Sequence, residues 1–352
     1  MARKKGQGKG SEDQEENMQL DVTQIRGESG ALYKNITLCS KHSGAAIDPM
    51  YLMSSVGPSE FIEELFGEDP KFYMANSNHG KVFIKLPREK STEREFYDYL
   101  ASRNAHHPML VPLEDVILHE GTEYLVFQFI PFKKHGSVSK NLSQLLLETP
   151  FGTSKEGYNT ILSVGIAIAD FLEFMNQNLA IDLDIKPGNI LCCPNDAVYE
   201  LRKCDLEGAK IGTRDKLGRL NIRLGKTDQK IYTPSYSPPE LLAPEPHLTP
   251  YADVYSLGCI LYEMFNGVRA PHIQQYFASD SDLPDFKLLR FTLEMKGDYS
   301  YLRKYGILTP LDVQESETPM KMKPIIARCL ELLHVDRYLP GELKQELEKM
   351  MK

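Results

Sequence analysis

The sequence predicts an α+β protein with two lobes, a small sheet-rich lobe followed by a larger, mainly helical one. Residues 36–132 hold segments rich in aromatic and β-branched side chains, separated by Gly, Pro and Asn as strands commonly are: YLMSS, KFYMAN, KVFIKL and EYLVFQFI. After about Leu142, apolar residues recur at helical spacing. With 352 residues, 41% of them apolar, the chain is long enough to build two packed cores.

The first lobe follows a charged N-terminal segment. Residues 1–30 begin with four basic residues, continue with the acidic run SEDQEE and contain few large apolar side chains. Such a segment buries too little surface to offset the entropy lost on ordering, so it predicts a mobile tail. Residues 31–130 then form the small lobe. Its single helix is STEREFYDYLASR, in which Phe96, Tyr99 and Leu100 make one apolar stripe.

Residues 133–352 form the larger lobe. Its predicted helices are NLSQLLLE, NTILSVGIAIADFLEFMNQN, ADVYSLGCILYEMFNG, PMKMKPIIARCLELL and GELKQELEKMMK. Gly267 marks the end of the third helix, while Pro340 and Gly341 mark the start of the last. The stretch 202–230 carries nine Lys or Arg against four Asp or Glu without an apolar period, which predicts an exposed basic loop.

Charge and composition restrict the function classes. A net charge of −8 makes a nucleic-acid partner unlikely, because nucleic-acid-binding domains are usually basic. No apolar run reaches the roughly 20 residues that cross a bilayer, and no apolar stretch follows the basic start as in a signal peptide. We therefore expect a cytoplasmic or nuclear protein without a membrane partner. Six cysteines without a Cys-x-x-Cys pair predict reduced, mostly buried thiols.

The stretch IDLDIKPGNIL, residues 181–191, carries the most specific chemistry. It places an Asp, a Lys two residues on and an Asn five residues on in a loop bent by Pro and Gly. Phosphoryl transfer needs such a set, since Asp184 can accept the proton of an attacking hydroxyl and Lys186 can neutralise the transferring group. Asn189 can hold a metal ion. The stretch resembles the catalytic loop of the eukaryotic-type protein kinase superfamily.

The resemblance continues along the chain in the family's order. KVFIK resembles the strand with the kinase lysine, so Lys85 would contact nucleotide phosphates and pair with a helix glutamate. Glu95 is the expected partner, with Glu93 as the alternative. YLVFQFI resembles the strand and hinge that hold adenine, the hinge falling at about 128–132. Phe127 would then be the gatekeeper, with backbone groups of Gln128 to Ile130 facing the base.

Two later motifs extend the resemblance to the end of the chain. CDLEG occupies the place of the family's Asp-Phe-Gly signature, which makes Asp205 a magnesium ligand. TPSYSPPE resembles the end of the activation segment, so Thr233 would contact the catalytic Asp and Lys. The resemblance also implies a buried pair between Glu240 and Arg337. ADVYSLGCILYEM resembles the central helix of the large lobe, whose Asp253 would hold the catalytic loop by its backbone.

Three departures from the family pattern concern the mechanism. The phosphate-binding loop before KVFIK offers only Gly57 and a distant second glycine, although Phe61 supplies an aromatic tip. Glu207 stands where a glycine normally lets the backbone turn freely. The catalytic loop has Asp182 and Leu183 in place of the usual His and Arg. A buried Asp182 should have a raised pKa or find a donor; the alternative is that it bonds to local backbone.

The resemblance implies a serine/threonine protein kinase that uses ATP and Mg²⁺ and acts on protein substrates. The alternative is a pseudokinase that serves as a scaffold or allosteric regulator, which the altered loops favour. A small-molecule kinase is less consistent with TPSYSPPE, which in the family shapes a peptide groove.

The basic stretch favours an acidic or already phosphorylated substrate, or else is a solvated loop that balances an acidic protein. Without the family Arg, we expect any activity to be independent of activation-loop phosphorylation read at this position.

Overall fold

The computed structural model describes these residues: 24–38, 72–88, 91–130, 133–134, 137–138, 140–148, 151–152, 154–195, 198–216, 220–224, 233–242, 246–267 and 309–352. The strand predicted at YLMSS and the predicted tail up to residue 23 lie outside them. So do Gly57 and Phe61 of the predicted phosphate-binding loop.

Within the described residues, the small lobe is a six-stranded antiparallel sheet with one helix, as the sequence predicts. Its elements are β1 (Gln24–Arg26), β2 (Leu32–Leu38), β3 (Phe72–Ser77), β4 (Gly80–Lys85), α1 (Glu93–Ser102), β5 (Leu113–His119) and β6 (Thr122–Gln128). The strand order is β1-β2-β3-β4-β6-β5. Tyr33, Tyr73, Ile84, Ile117 and Tyr124 fill the core of the sheet, which fits the aromatic and β-branched pattern of its strands.

The first ordered strand begins earlier than the predicted tail allows. β1 pairs with β2 so that Ile25 lies opposite Tyr33, and Ile25 packs against the sheet core. The following turn is also fixed, because the backbone N–H of Ser29 donates to the Asp115 carboxylate at 2.9 Å. The prediction of a tail over residues 1–30 is therefore wrong for 24–30. One apolar residue with main-chain pairing is enough to order this edge.

The large lobe contains most of the helices that the sequence predicts. Its helices within the described residues are α2 (Leu142–Glu148), α3 (Lys155–Gln177), α4 (Tyr251–Asn266), α5 (Pro310–Glu315), α6 (Lys323–Cys329) and α7 (Pro340–Met350). Its short strands are β7 (Lys133–Lys134), β8 (Ser137–Val138), β9 (Lys140–Asn141), β10 (Ala180–Ile181), β11 (Ile190–Asn195), β12 (Val198–Lys203), β13 (Lys210–Ile211), β14 (Thr213–Arg214), β15 (Leu220–Arg223) and β16 (His247–Leu248). Gly267 ends α4 in the left-handed conformation at φ 65°, as predicted.

Helix α3 forms the centre of the large lobe. Ile161, Leu162, Ile168 and Phe171 on this helix are buried in the main core, to which α4 and α7 also contribute. By length and composition, α3 alone among the described helices would suffice to span a membrane, and half of its most apolar stretch is buried inside the protein. A core helix has this composition because it is covered on several sides. The predicted absence of a membrane partner stays a prediction.

The basic stretch 202–230 is not simply an exposed loop, which corrects the prediction. β15 lies between β14 and β16, and its Leu220 and Ile222 are buried together with Leu224. These three residues alternate with polar ones, which is the pattern of a strand with one covered face. The basic side chains of Arg214 and Arg223 are exposed, as expected.

The predicted α+β, two-lobed fold is confirmed. The cysteines within the described residues are free thiols, and Cys192, Cys193, Cys259 and Cys329 are buried. Burial without pairing agrees with the predicted reduced state.

Candidate active site

The predicted catalytic loop lies between β10 and β11, and a carboxylate on α4 is hydrogen-bonded to its backbone. The Asp253 carboxylate accepts the backbone N–H groups of Asp182 at 2.8 Å and Leu183 at 2.9 Å. Leu183 has φ 67°, an uncommon conformation for a leucine, and these two bonds help to stabilise it. The predicted role of Asp253 agrees with this geometry.

Asp184 is the centre of the first charged cluster, the Asp184 cluster, which also contains Lys186, Asn189 and Thr233. The Lys186 ammonium lies 2.9 Å from Asp184 Oδ2, and Asn189 Nδ2 donates to the same oxygen at 2.9 Å. Thr233 Oγ1 donates to Asp184 Oδ1 at 2.8 Å and accepts from Lys186 Nζ at 2.8 Å. The structure thus brings together four residues that the sequence predicted from two separate motifs.

Lys85 is the centre of the second charged cluster, the Lys85 cluster, which also contains Glu93, Asp205 and Glu207. Its Nζ lies 2.6 Å from Glu93 Oε2, 3.1 Å from Asp205 Oδ1 and 2.9 Å from Glu207 Oε1. Glu93 also ties α1 to the following loop, because its Oε1 accepts the backbone N–H of Leu206 at 2.9 Å.

The predicted partner Glu95 is wrong, and the alternative Glu93 is correct. Glu95 is exposed on α1, whereas Glu93 is buried. The buried residues of α1 are Glu93, Phe96 and Leu100, spaced as one helix face, so Glu95 points away from Lys85. Glu93 lies one turn before Phe96 on the face that also holds Leu100, and this spacing could have identified it from the sequence.

Glu207 fits its position without the freedom of a glycine, contrary to the expectation. The residue of this loop with positive φ is Asp205 at 62°, and Glu207 is absent from the described non-glycine residues with positive φ. The Glu207 carboxylate also contacts the end of β4 beyond Lys85. Arg88 Nε lies 3.5 Å from its Oε2, and the backbone N–H of Arg88 donates to its Oε1 at 3.3 Å.

The pKa values of the residues in the Lys85 cluster are shifted in different directions. Burial alone would lower the pKa of Lys85, but Asp205, Glu93 and Glu207 raise it well above its ordinary value. Burial raises the pKa of Glu93 although Lys85 is adjacent, because two other carboxylates share that lysine. Burial alone would raise the pKa of Asp205, yet the ammonium groups of Lys85, Lys203 and Lys186 lower it overall. Asp205 is therefore more fully ionised than Glu93.

Lys203 is a site residue that the sequence analysis missed. Its side chain is 0% exposed, and its Nζ lies 3.1 Å from Asp182 Oδ2. It also donates to the backbone carbonyls of Cys204 at 2.9 Å and Asp205 at 2.5 Å. Lys203 shares the inward face of β12 with buried Leu201, so its place in the alternation could have identified it.

Asp182 finds a donor and also bonds to local backbone. Its Oδ1 accepts the backbone N–H of Asp184 at 3.2 Å, while Oδ2 faces Lys203. Burial raises the pKa of Asp182 to about 7, with Lys203 acting in the opposite direction and Asp253 adding to the rise. Burial likewise raises the pKa of Asp253 to about 6. Asp182 and Lys203 thus connect the catalytic loop to the loop that carries Asp205.

Leu183 packs where the family arginine would stand. It is buried in an apolar cluster with Leu220, Ile222 and Leu224 of the basic stretch, and with Leu248. An apolar contact of this kind does not depend on a phosphate group. It connects the catalytic loop to the segment between Asp205 and Thr233.

The predicted adenine-binding residues lie at the end of β6. Phe127 is buried and its ring meets Tyr97 edge to face, with 5.7 Å between the centroids. The backbone N–H of Gln128 already donates to the carbonyl of Pro112 at 3.0 Å, so that donor does not face a ligand. Ile130 follows the end of the strand, and the hinge residues 131–132 lie outside the described ranges.

Arg337 and Glu240 form the predicted ion pair, and it is bidentate. The guanidinium donates to the two carboxylate oxygens at 2.7 and 2.9 Å, and Arg337 is 1% exposed. Arg337 also donates to the backbone carbonyls of Glu331 and Tyr251. It thereby joins the end of the activation-segment motif to the C-terminal helices.

Asp205 and Asn189 are the residues that fit a metal ion. They offer a carboxylate and an amide oxygen, which are the hard ligands that Mg²⁺ prefers. The Asp205 side chain is 18% exposed, unlike the almost fully covered Glu93 and Glu207. Oxygens of Glu93, Asp205 and Glu207 also lie within 4.8 Å of one another. The Lys85 ammonium already contacts all three carboxylates, so this group does not need a cation.

Comparison with known proteins identifies the family. Residues 78–346 match the family model described as the protein kinase domain. This range covers well over half of the sequence, so the chain belongs to the protein kinase family. It includes every described site residue discussed above.

Relatives of low identity carry cell-division or protein kinase names. The chain is 25% identical to the "Cell division control protein 2 homolog 3" of Trypanosoma brucei brucei over 198 residues, 55% of each protein. It is 24% identical to a probable cell division protein kinase of Encephalitozoon cuniculi over 285 residues, 78% of this chain and 91% of that protein. It is 27% identical to a probable serine/threonine-protein kinase of Arabidopsis thaliana over 277 residues, 74% of this chain and 61% of that protein. The match thus spans little more than half of the trypanosome and plant proteins.

Proposed function

We propose that the chain is an active serine/threonine protein kinase that transfers the γ-phosphoryl group of ATP to protein hydroxyls. The observation that carries this proposal is the triangle of Asp184, Lys186 and Thr233, with contacts of 2.8 to 2.9 Å. Asp184 and Thr233 are 49 residues apart in the sequence, yet all three side chains contact one another. The names of the relatives support the same reaction class.

Each residue of the triangle has a role in the proposed reaction. Asp184 accepts the proton of the attacking Ser or Thr hydroxyl as the new oxygen–phosphorus bond forms and the bond to ADP breaks. Lys186 neutralises charge on the transferring group. Thr233 orients both side chains by donating to one and accepting from the other. Asp205 and Asn189 would hold Mg²⁺, which when bound supplies positive charge at the phosphate oxygens.

The first experiment measures phosphate transfer from Mg²⁺–ATP by the purified chain, to itself and to a generic acidic or basic protein. The matched variants are Asp184→Asn and Asp170→Asn, since Asp170 is a half-exposed acid on α3 paired with Lys344. We expect incorporation on Ser or Thr that Asp184→Asn lowers by roughly 10²–10⁴-fold and Asp170→Asn leaves unchanged.

The alternative function is a pseudokinase that acts through its binding surfaces. It would be favoured if neither the wild type nor the Asp184→Asn variant incorporated phosphate and Mg²⁺–ATP failed to raise the Tm. Ligand binding to the native state raises the Tm by mass action, so millimolar ATP is a sensitive probe.

We also propose that activity does not require a phosphorylated activation segment. Leu183 and its apolar neighbours Leu220, Ile222 and Leu224 connect the catalytic loop to that segment without a charge. Phosphatase treatment should therefore leave the transfer rate unchanged. A rate that falls on dephosphorylation and recovers after autophosphorylation would contradict this proposal.

We propose further that the protein substrate is acidic or already phosphorylated. Exposed Arg214 and Arg223 lie on the paired strands β14 and β15, in the segment that precedes Thr233. Charge reversal at Arg219 and Arg223 should raise KM for an acidic peptide, whereas the control Lys155→Glu should not. Unchanged turnover of the acidic peptide would exclude this preference.

A further inference from the structure

Three carboxylate oxygens surround the Lys85 ammonium, which donates hydrogen bonds to Glu93 and Asp205. An ammonium group has three N–H donors, and three carboxylate oxygens lie within 3.1 Å of Nζ. Within the proposed function, Lys85 must contact nucleotide phosphates. A phosphate oxygen therefore has to compete with a carboxylate for Lys85 when nucleotide binds.

The three carboxylates differ in what else they can pair with. Glu93 holds the backbone N–H of Leu206 with its other oxygen, and moving it would break the contact with α1. Asp205 is needed as the metal ligand of the proposed function. Glu207 is the one of the three with an ion-pair contact to a second cation, because Arg88 Nε is 3.5 Å from its Oε2.

Arg88 also offers Glu207 a main-chain contact. The backbone N–H of Arg88 donates to Glu207 Oε1, the same oxygen that contacts Lys85. A small rotation of the carboxylate would strengthen its pairing with Arg88 and release Lys85. The Glu207 side chain is 1% exposed. If its carboxylate left Lys85 without Arg88 nearby, it would be buried and unpaired, which is costly in free energy.

We propose that Glu207 is a two-position carboxylate that competes with nucleotide phosphates for Lys85, and that Arg88 is the positioning residue that draws it away. The inference rests on the proposed function. Glu207 opposes phosphate binding at Lys85, and Arg88 reduces that opposition. The same arginine therefore promotes nucleotide binding only while Glu207 carries a charge.

The test is a double-mutant cycle on nucleotide affinity, measured by calorimetry with a non-hydrolysable ATP analogue and Mg²⁺ on the full chain. Glu207→Gln should bind the analogue roughly tenfold more tightly, and Arg88→Met roughly tenfold more weakly. The double variant should bind as tightly as Glu207→Gln. Adenosine, which lacks phosphates, should bind all four proteins equally.

Two further variants separate this inference from general damage to the small lobe. Arg94→Met removes an arginine of α1 that pairs with Glu28 and Glu123, and it should leave the affinity unchanged. Arg88→Lys keeps the charge and should stay close to the wild type. Arg88→Lys and Arg88→Met keep the cycle informative if Glu207→Gln does not fold.

The outcomes distinguish failure of the inference from failure of the proposed function. Equal affinity in the wild type, Glu207→Gln and Arg88→Met would overturn the inference, as would an Arg88→Met loss that the double variant does not recover. Binding of the analogue by Glu207→Gln but not by the wild type would support it. If every folded variant binds adenosine and none gains affinity from phosphates, the proposed function fails and the inference with it.

Discussion

The Asp184 cluster and the Lys85 cluster each contain one predicted metal ligand, Asn189 and Asp205 respectively, and they balance charge in different ways. In the Asp184 cluster one carboxylate meets one ammonium, and the neutral Thr233 and Asn189 complete its hydrogen bonds. In the Lys85 cluster three carboxylates share one ammonium, with Arg88 at the edge. Under the proposed function, a phosphate oxygen must compete with carboxylates in the second arrangement, whereas the first has no such excess of negative charge.

The sharpest way to test this contrast is to remove the lysine from each cluster. Lys85→Met leaves buried Glu93 and Glu207 without their main cation, so we expect the free energy of unfolding to fall by about 3–5 kcal/mol. Lys186→Met should change stability by less than about 1 kcal/mol, because Asp184 keeps two neutral donors. Urea denaturation gives both values. Similar losses in the two variants would contradict the contrast.

Removing the lysine from the buried pair of Lys203 and Asp182 should also destabilise the protein strongly, as in the Lys85 cluster. Lys203→Met leaves Asp182 facing Asp253 without a cation, and we expect a loss of about 3 kcal/mol at pH 8. The double variant Lys203→Met/Asp182→Asn should recover part of that loss, since no unpaired charge remains. A double variant less stable than Lys203→Met alone would show that the pair acts by packing only.

The pH dependence of stability should identify Asp182 as a titrating group. Its pKa rises from 3.8 to about 7 on folding, so the folded state retains a proton that the unfolded chain releases in this range. The resulting stabilisation is present at low pH and is lost as pH rises towards 7, with a slope of at most about 1.4 kcal/mol per pH unit. Asp182→Asn should flatten this slope between pH 5 and 7. An unchanged slope would mean that Asp182 is ionised throughout.

The smallest effect is expected within the Asp184 cluster. Thr233→Ala removes one hydrogen bond to Asp184 and one from Lys186, and it should lower phosphate transfer about tenfold, since each such bond contributes about 1 kcal/mol. Thr233→Ser keeps the hydroxyl and should restore the rate. If Ser fails where Thr works, the methyl group of Thr233 has a packing role as well.

The sequence predicted the Asp184 cluster better than the Lys85 cluster for a physical reason. Asp184, Lys186 and Asn189 lie in one short loop, so their spacing alone brings them together. Glu95 was preferred to Glu93 because it was aligned with Tyr99, whereas the buried face of α1 contains Glu93, Phe96 and Leu100. The roles of Glu207 and Lys203 depend on contacts between β4, β12 and distant loops. Strand alternation can show that Lys203 is buried, but it does not show which residues Lys203 or Glu207 contacts. The two-lobed fold was predictable because strand and helix periodicity divide cleanly near Leu142.

Cys204 illustrates a further consequence of the packing around Asp205. Its backbone N–H donates to the Asn189 carbonyl at 3.1 Å, and its thiol lies 3.4 Å from the same oxygen. Burial raises the pKa of this thiol to about 12. The thiolate is the form that peroxide and electrophilic inhibitors attack, so this cysteine should react slowly although it adjoins the predicted metal ligand. Peroxide and covalent inhibitors would then both react slowly at Cys204.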